Sequence, residues 1–297
     1  MYQEGFKELA CICDNGYSRH PVSTSPLLQF LEDIEEIELS LFKLHKDSPK
    51  VLNHISDAEV SALLAVHLIS RLVAGSQTPY MILNDTKMRT KYCPCGCRMK
   101  IIYGNTGFGS EDLWYGKPDI MAFPKGAGGV SVILNKDSFR KMTADHVKED
   151  RERNSLLQNG NLSQITAQAI TFSFYQNVFQ EKKSVAESDI VTLIPTVAMC
   201  ANGIEIYMYD SKYDIFLRSH HNTLPFWDES YFPPKLDLNT IVTLWLVFNH
   251  LTFKPSIPEK LLQSLKGTCG FLDKAGLEKI EKVKKNIRMQ TRFQKND

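Results

Sequence analysis

The sequence predicts an α/β fold: a central mixed β-sheet with flanking helices at both ends. Three observations carry this. Apolar residues recur at helical spacing near both termini. Short apolar runs bounded by glycine, proline and asparagine fill the middle. One strong amphipathic helix interrupts those runs at Leu162–Phe179.

Ser25 is placed to cap a helix over Pro26–His45, in which Leu27, Phe30, Leu31, Ile34, Ile37 and Leu41 share a stripe. Ser56 is placed to cap a second helix over Asp57–Ala74, ended by Gly75. The stretch Ser76–Arg98 reads as irregular. Met99–Tyr103, Pro118–Phe123 and Gly129–Asn135 read as strands, the last two joined by the glycine-rich turn "PKGAGG". Residues 137–161 are dense in charge and read as an exposed helix and a loop. After Leu162–Phe179, the runs Ile190–Cys200, Ile204–Tyr209 and Tyr213–Arg218 are separated by tight-turn residues, which favours an antiparallel meander. Helices over Leu238–Phe253, Pro258–Gly267 and Leu272–Met289 close the chain, the last of them basic.

The 297 residues, 43% hydrophobic and 23% charged, suffice for one large domain or two small ones. We read three regions that form one compact unit. Residues 1–98 are helical and hold a cysteine-containing loop, 99–220 are the α/β core, and 221–297 are helical again. A net charge of +1 does not mark the whole chain as a nucleic-acid binder, although a local patch can still steer a charged partner. The opening "MYQEGFKEL" lacks the apolar run of a signal peptide. No window approaches the roughly 20 apolar residues of a membrane span. Seven cysteines, an odd number, suit a reducing compartment. The expectation is an intracellular protein of nucleus or cytoplasm with no membrane partner.

Asp119 opens one strand directly after a proline, and Lys136 ends the next. The residues Pro118-Asp119, the turn "PKGAGG", the strand "VSVILNK" and the helix "QITAQAITFSFYQ" resemble the PD-(D/E)XK nuclease superfamily, a restriction-endonuclease-like fold. The resemblance covers about residues 100–219. It extends to animal proteins of this type that carry a W-x-G-x-P-D-I stretch, here "WYGKPDI" at Trp114–Ile120. It implies a metal-dependent nuclease that hydrolyses DNA phosphodiester bonds, with RNA as a second candidate substrate. In that reading Asp119 binds Mg2+ or Mn2+ and Lys136 orients water. Gln168, one turn from Gln164 on the long helix, contacts the water or the phosphate.

The chemistry is sound in its own terms. A divalent metal activates water and neutralises developing charge. Magnesium takes oxygen ligands, commonly one or two carboxylates. Adjacent strands bring such groups to within about 4.8 Å. The sequence departs from the family pattern at Leu134, two residues before Lys136, where an Asp or Glu is expected. Glu111 and Asp112, just upstream, are the candidate replacement ligands, and Glu59 is a candidate acid from the early helix. The competing reading is a catalytically inactive module of the same fold that binds nucleic acid or a protein partner. The apolar C-terminal helices offer a surface for a homodimer, since many enzymes of this superfamily act as dimers.

Cys93, Cys95 and Cys97 form C-P-C-G-C, with Cys11 and Cys13 repeating the spacing. A structural Zn2+ with these as ligands stands beside a tight loop of reduced thiols. Lys87, Arg89, Lys91, Arg98 and Lys100 interleave with Tyr92 and Tyr103, a pattern suited to phosphates and stacked bases. An ordinary solvated loop explains them equally. His67 sits among apolar residues and reads as a packed core histidine. His220-His221 read as surface residues.

Overall fold

A computed structural model describes residues 1–45, 56–74, 80–84, 92–110, 112–123, 129–134, 159–183, 185–186, 189–201, 203–219, 223–264 and 267–293. Helices α1 (Gln3–Asn15), α2 (Pro21–Glu32), α3 (Ile34–Leu41) and α4 (Asp57–Leu64) precede the sheet. The stripe expected over Pro26–His45 is real, but the helix breaks at Asp33, which ends α2 and opens α3. Ser56 caps α4 as expected. Its hydroxyl accepts from the Glu59 N–H, and the Glu59 carboxylate accepts from the Ser56 N–H at 2.7 Å. This reciprocal pair satisfies two helix-end donors, so Glu59 has a structural task at the helix start. Beyond Leu64 the helix widens into a π-helical turn, Ala65–Ile69, and ends in Ser70–Leu72. Asn249 secures that end: its amide donates to the Leu72 carbonyl and accepts from the Ala74 N–H, both within 3.0 Å.

The main sheet is mixed and eight-stranded. Strands β1 (Tyr80–Asn84), β2 (Ile102–Gly104), β5 (Ile120–Phe123), β6 (Val130–Leu134), β7 (Leu193–Cys200), β8 (Gly203–Asp210), β9 (Ile215–Arg218) and β10 (Leu224–Pro225) form it. Its order is β10-β8-β7-β6-β5-β1-β2, with β9 also on β8. The small hairpin β3 (Phe108–Gly109) and β4 (Tyr115–Gly116) leads into β5, and β11 (Trp227–Asp228) pairs with β12 (Lys235–Leu236). The predicted hairpin of β5 and β6 is antiparallel, and β7, β8 and β9 form the predicted meander. Helix α5 (Asn159–Lys182) crosses over between β6 and β7, which is why those two strands run parallel.

Both faces of the sheet are covered, so strands β7 and β8 are buried at every residue. Alternation sorts their side chains. Val130, Val132, Leu134, Ile204, Ile206 and Met208 face the main core with α2, α3, α4 and α6 (Leu238–Phe248). Met121, Ile194 and Tyr209 face α5 in a second core, where Phe172, Phe174 and Val178 meet Ile280, Val283 and Ile287 of α10 (Leu277–Phe293). Short helices α7 (His250–Phe253), α8 (Glu259–Ser264) and α9 (Phe271–Ala275) complete the chain. No helix among the described residues is long and apolar enough to cross a membrane.

Candidate metal centre and strand-end site

The residues Tyr92–Lys100 form a small knuckle. Tyr92 and Lys100 pair across it, the Cys93 N–H donates to the Met99 carbonyl at 2.9 Å, and the Gly96 N–H donates back to the Cys93 carbonyl. Gly96 at φ 90° and Arg98 at φ 62° take the left-handed backbone that such a tight reversal demands. The turn draws Cys93, Cys95 and Cys97 inward, in spite of their single-residue spacing.

The fourth member comes from the π-helical turn of the α4 helix. His67 Nε2 lies 3.0 Å from Cys95 Sγ, 3.6 Å from Cys93 Sγ and 3.9 Å from Cys97 Sγ. All four ligand atoms fall within 4.8 Å of one another. A tetrahedral zinc ion with ordinary bond lengths spaces its ligand atoms by roughly 3.5–3.8 Å. The cluster can therefore hold a metal ion. Burial, together with the neighbouring thiols, raises the Cys93 and Cys97 pKa values, so a metal bound here must displace protons from both thiols. The Cys97 N–H already points at Cys95 Sγ, at 3.3 Å.

Here the structure corrects two expectations. His67 is buried as a core histidine would be, but its ring faces the three sulfurs rather than aliphatic neighbours. Cys11 and Cys13 lie on α1 and take no part in the cluster. The π-helical turn is the local device involved. It inserts one extra residue per turn and frequently marks a functional position. Arg98 and Lys100 are exposed on the knuckle's outer surface, with Tyr92 half-exposed beside them. Lys87, Arg89 and Lys91 lie outside the described residues.

At the strand end the described candidates are Asp112, Asp119 and Gln168. The "WYGKPDI" stretch has a structural account residue by residue. Trp114 packs edge-on against Phe271 at 5.0 Å. Gly116 makes room for the Phe108 ring of β3, which a Cβ there would meet at 2.9 Å, with the α5 backbone at Gln168 3.5 Å from the same point. The Pro118 carbonyl accepts from Thr106 Oγ1 at 2.5 Å. The chain bends at Asp119, whose N–H donates to the Val132 carbonyl at 3.0 Å. Its carboxylate accepts from the Leu134 N–H at 2.8 Å. The acid thus sits beside the end of β6, at the end of the strand pair where the sequence places it.

Gln168 is buried against the same stretch, and its amide donates to the Lys117 carbonyl at 3.3 Å. Its Oε1 is buried with no partner among the described residues. Gln164, one turn earlier, is exposed. Leu134 is 7% exposed and packs in the main core. Asp112 lies at the exposed tip of the β3–β4 hairpin, whereas Asp119 follows its open end. Glu111, Lys136 and His220-His221 lie outside the described residues. Another buried acid, Glu205, went unnoticed in the sequence. The register Ile133–Ala198–Glu205 puts it two strands from β6, roughly 10 Å away. Arg218 and the Tyr207 hydroxyl already engage it, at 2.9 and 2.6 Å.

Against known proteins the chain stands without a match: no family model, no curated protein and no solved structure matches it.

Proposed function

We propose that His67, Cys93, Cys95 and Cys97 hold a structural zinc ion and that the β5–β6 end is the working site of a metal-dependent nuclease acting on DNA. A Cys3His set is the closed kind of site that stabilises a fold rather than activating water. It joins the helix of α4 to the loop that leads into β2, two segments with few other ties in sequence. Arg98, Lys100 and Tyr92 on the knuckle's outer surface then meet the phosphates and bases of the substrate.

The observation that supports the nuclease reading is the seat of Asp119. Its carboxylate lies at the end of an antiparallel strand pair, next to the backbone from which Lys136 follows two residues on. The mixed sheet with a crossover helix between β6 and β7 suits the restriction-endonuclease-like type. A magnesium or manganese ion bound there supplies charge neutralisation and an activated water. Asp119 would ligate it with Glu111 as the candidate second carboxylate, and Lys136 would orient the water. Gln168 holds the Lys117 carbonyl and so fixes the backbone that presents Asp119.

One observation favours the second reading, an inactive module of the same fold. The position of the missing acid is filled by a leucine whose side chain belongs to the main core. The Asp119 carboxylate also has a purely structural use, as acceptor for the last described N–H of β6. Incubation of zinc-loaded protein with plasmid and single-stranded DNA, with magnesium or manganese, separates the two. The nuclease reading expects cleavage that Asp119→Asn and Lys136→Ala both abolish. Cleavage that survives in both variants removes these roles, and absent cleavage with retained DNA binding favours the module.

A further inference from the structure

We propose that the knuckle is an oxidative modification site, at which a peroxide joins Cys95 to Cys97 as a disulfide and expels the zinc ion. The inference rests on the zinc reading of the knuckle and goes one step beyond it, to what that site senses. The three cysteines are not equivalent. Cys93 is buried at 4% exposure, Cys95 is half-buried and Cys97 is exposed. A small oxidant in solvent therefore meets the Cys97 sulfur first. Bound to zinc, that sulfur is a thiolate, the form in which cysteine is a nucleophile.

The second sulfur is already in place. The Cys97 N–H donates to Cys95 Sγ at 3.3 Å, so the Cys95 sulfur lies against the backbone that carries Cys97. Both sulfurs belong to the set of ligand atoms within 4.8 Å of one another. Cα atoms two residues apart are separated by at most about 7 Å. The reversal at Gly96, with φ 90°, shortens that span towards the roughly 4.4–6.8 Å of a disulfide.

In the first step the Cys97 thiolate attacks one peroxide oxygen. The O–O bond breaks, hydroxide leaves, and a sulfenic acid forms. The Cys95 thiolate then attacks that sulfur, the S–O bond breaks, and a second hydroxide leaves. Two sulfurs each lose one electron and two oxygens each gain one. The zinc ion keeps only His67 and Cys93, departs, and leaves Cys93 to take up a proton. The knuckle is then no longer tied to the π-helical turn at His67, and the surface of Arg98 and Lys100 is loosened with it.

The other exposed cysteines lack one requirement each. Cys13 lies on α1, where its neighbour Cys11, two residues away, points to another side of the helix. Cys269 donates to the Asp214 carboxylate at 2.7 Å, and burial together with that acid pushes its pKa up to about 11. It stays a thiol at neutral pH, the unreactive form.

The test treats zinc-loaded protein with a small excess of hydrogen peroxide at neutral pH and reads released metal with a chromogenic chelator. Wild type should release its one zinc per chain and rebind it once dithiothreitol and zinc are supplied. The tryptic peptide Tyr92–Arg98 holds all three knuckle cysteines. It should lose two hydrogens and keep one alkylatable thiol, at Cys93. Cys97→His and Cys97→Asp keep a fourth ligand but remove the exposed sulfur. They should hold zinc and release it about tenfold or more slowly. Cys13→Ser/Cys269→Ser should release it at the wild-type rate. A chain that takes up no zinc would refute the metal reading and this proposal with it. A chain that holds zinc through the peroxide treatment would overturn the proposal and leave the zinc site standing. So would equally fast release from both Cys97 variants, or a product without the Cys95–Cys97 disulfide.

Discussion

The knuckle at Cys93–Cys97 and the strand end at Asp119 make an instructive pair. Both bring polar ligand atoms from separate elements to one point. At the knuckle one imidazole nitrogen and three sulfurs converge within 4.8 Å of one another. At the strand end, among the described residues, one carboxylate stands at the site, and the chain's own backbone has already engaged it. A resemblance in sequence pointed to the second region. Side-chain geometry assembles the first among the described residues. Spacing of residues along a chain is weak information about a site when a tight turn or a helix from elsewhere completes it.

The largest expected effect comes from breaking the knuckle. Zinc measured by mass spectrometry should stand at one per chain in wild type and fall well below that in Cys95→Ser and His67→Ala. Structural zinc contributes to folding directly. Its chelation should lower Tm by about 10 °C or more, since each lost kcal/mol moves a chain of this size by about 2–4 °C. Cys11→Ser/Cys13→Ser should keep full zinc. Loss of metal in that variant would reopen the ligand assignment.

The strand end predicts a failure of repair. Leu134→Asp rebuilds the family spacing, but it places a carboxylate in the main core. It should cost about 3–5 kcal/mol in urea unfolding and restore no activity, because burial of an unpaired charge is expensive. A variant that folds as well as wild type and gains cleavage would mean that Leu134 faces the site.

Acid should act on the core and the knuckle together. Burial lowers the His250 pKa to about 4 from its ordinary 6.5. The folded state therefore binds fewer protons than the unfolded chain between those values. The stability contribution is complete above pH 6.5 and is lost as pH falls towards 4, by roughly 3 kcal/mol in all. The knuckle adds to this slope, because protons compete with metal for thiolates. Denaturant melts at pH 7 and 4.5 should show a steep loss in wild type, a shallower one in His250→Asn, and the shallowest in His250→Asn without zinc.

At Asp119 the structural and chemical tasks can be pulled apart. Asp119→Ala strands the Leu134 N–H and should cost about 1–3 kcal/mol. Asp119→Asn keeps an acceptor oxygen and should melt within about 1 kcal/mol of wild type while losing metal-dependent cleavage. The smallest effect is expected at Gln176, whose amide is buried with both ends unpartnered among the described residues. Gln176→Leu should be neutral or stabilise by up to about 1 kcal/mol, since removing an unsatisfied polar group relieves its desolvation penalty.

Much of the fold was legible because periodicity reports burial. The hairpin of β5 and β6, the meander and α5 follow from runs bounded by turn residues. Helix α1 was missed for a tertiary reason. It has few apolar residues, no side-chain cap, and a glycine that a methyl could not replace, since a Cβ at Gly5 would meet Leu246 Cδ2 at 2.1 Å. Its buried Glu8 is held by Ser18 at 2.5 Å and by the His20 N–H, contacts that no local pattern announces. Strand β1 was lost in a stretch whose polar neighbours outweigh its five residues. The break at Asp33 was invisible because the apolar stripe continues through it. The reading of His67 as a packed core histidine missed the most, since its ring joins the cysteine cluster. Its helix is apolar all round, so periodicity could not say which way the ring points. A histidine on such a helix, upstream of three closely spaced cysteines, was the one available signal.

Anomalous diffraction from crystals of the zinc-loaded protein soaked in manganese tests both halves of the account at once. The account predicts a zinc peak about 2.0–2.3 Å from His67 Nε2 and the three sulfurs, and a manganese peak beside the Asp119 carboxylate. Zinc absent from the knuckle, or no manganese within bonding distance of the Asp119 carboxylate, would contradict it.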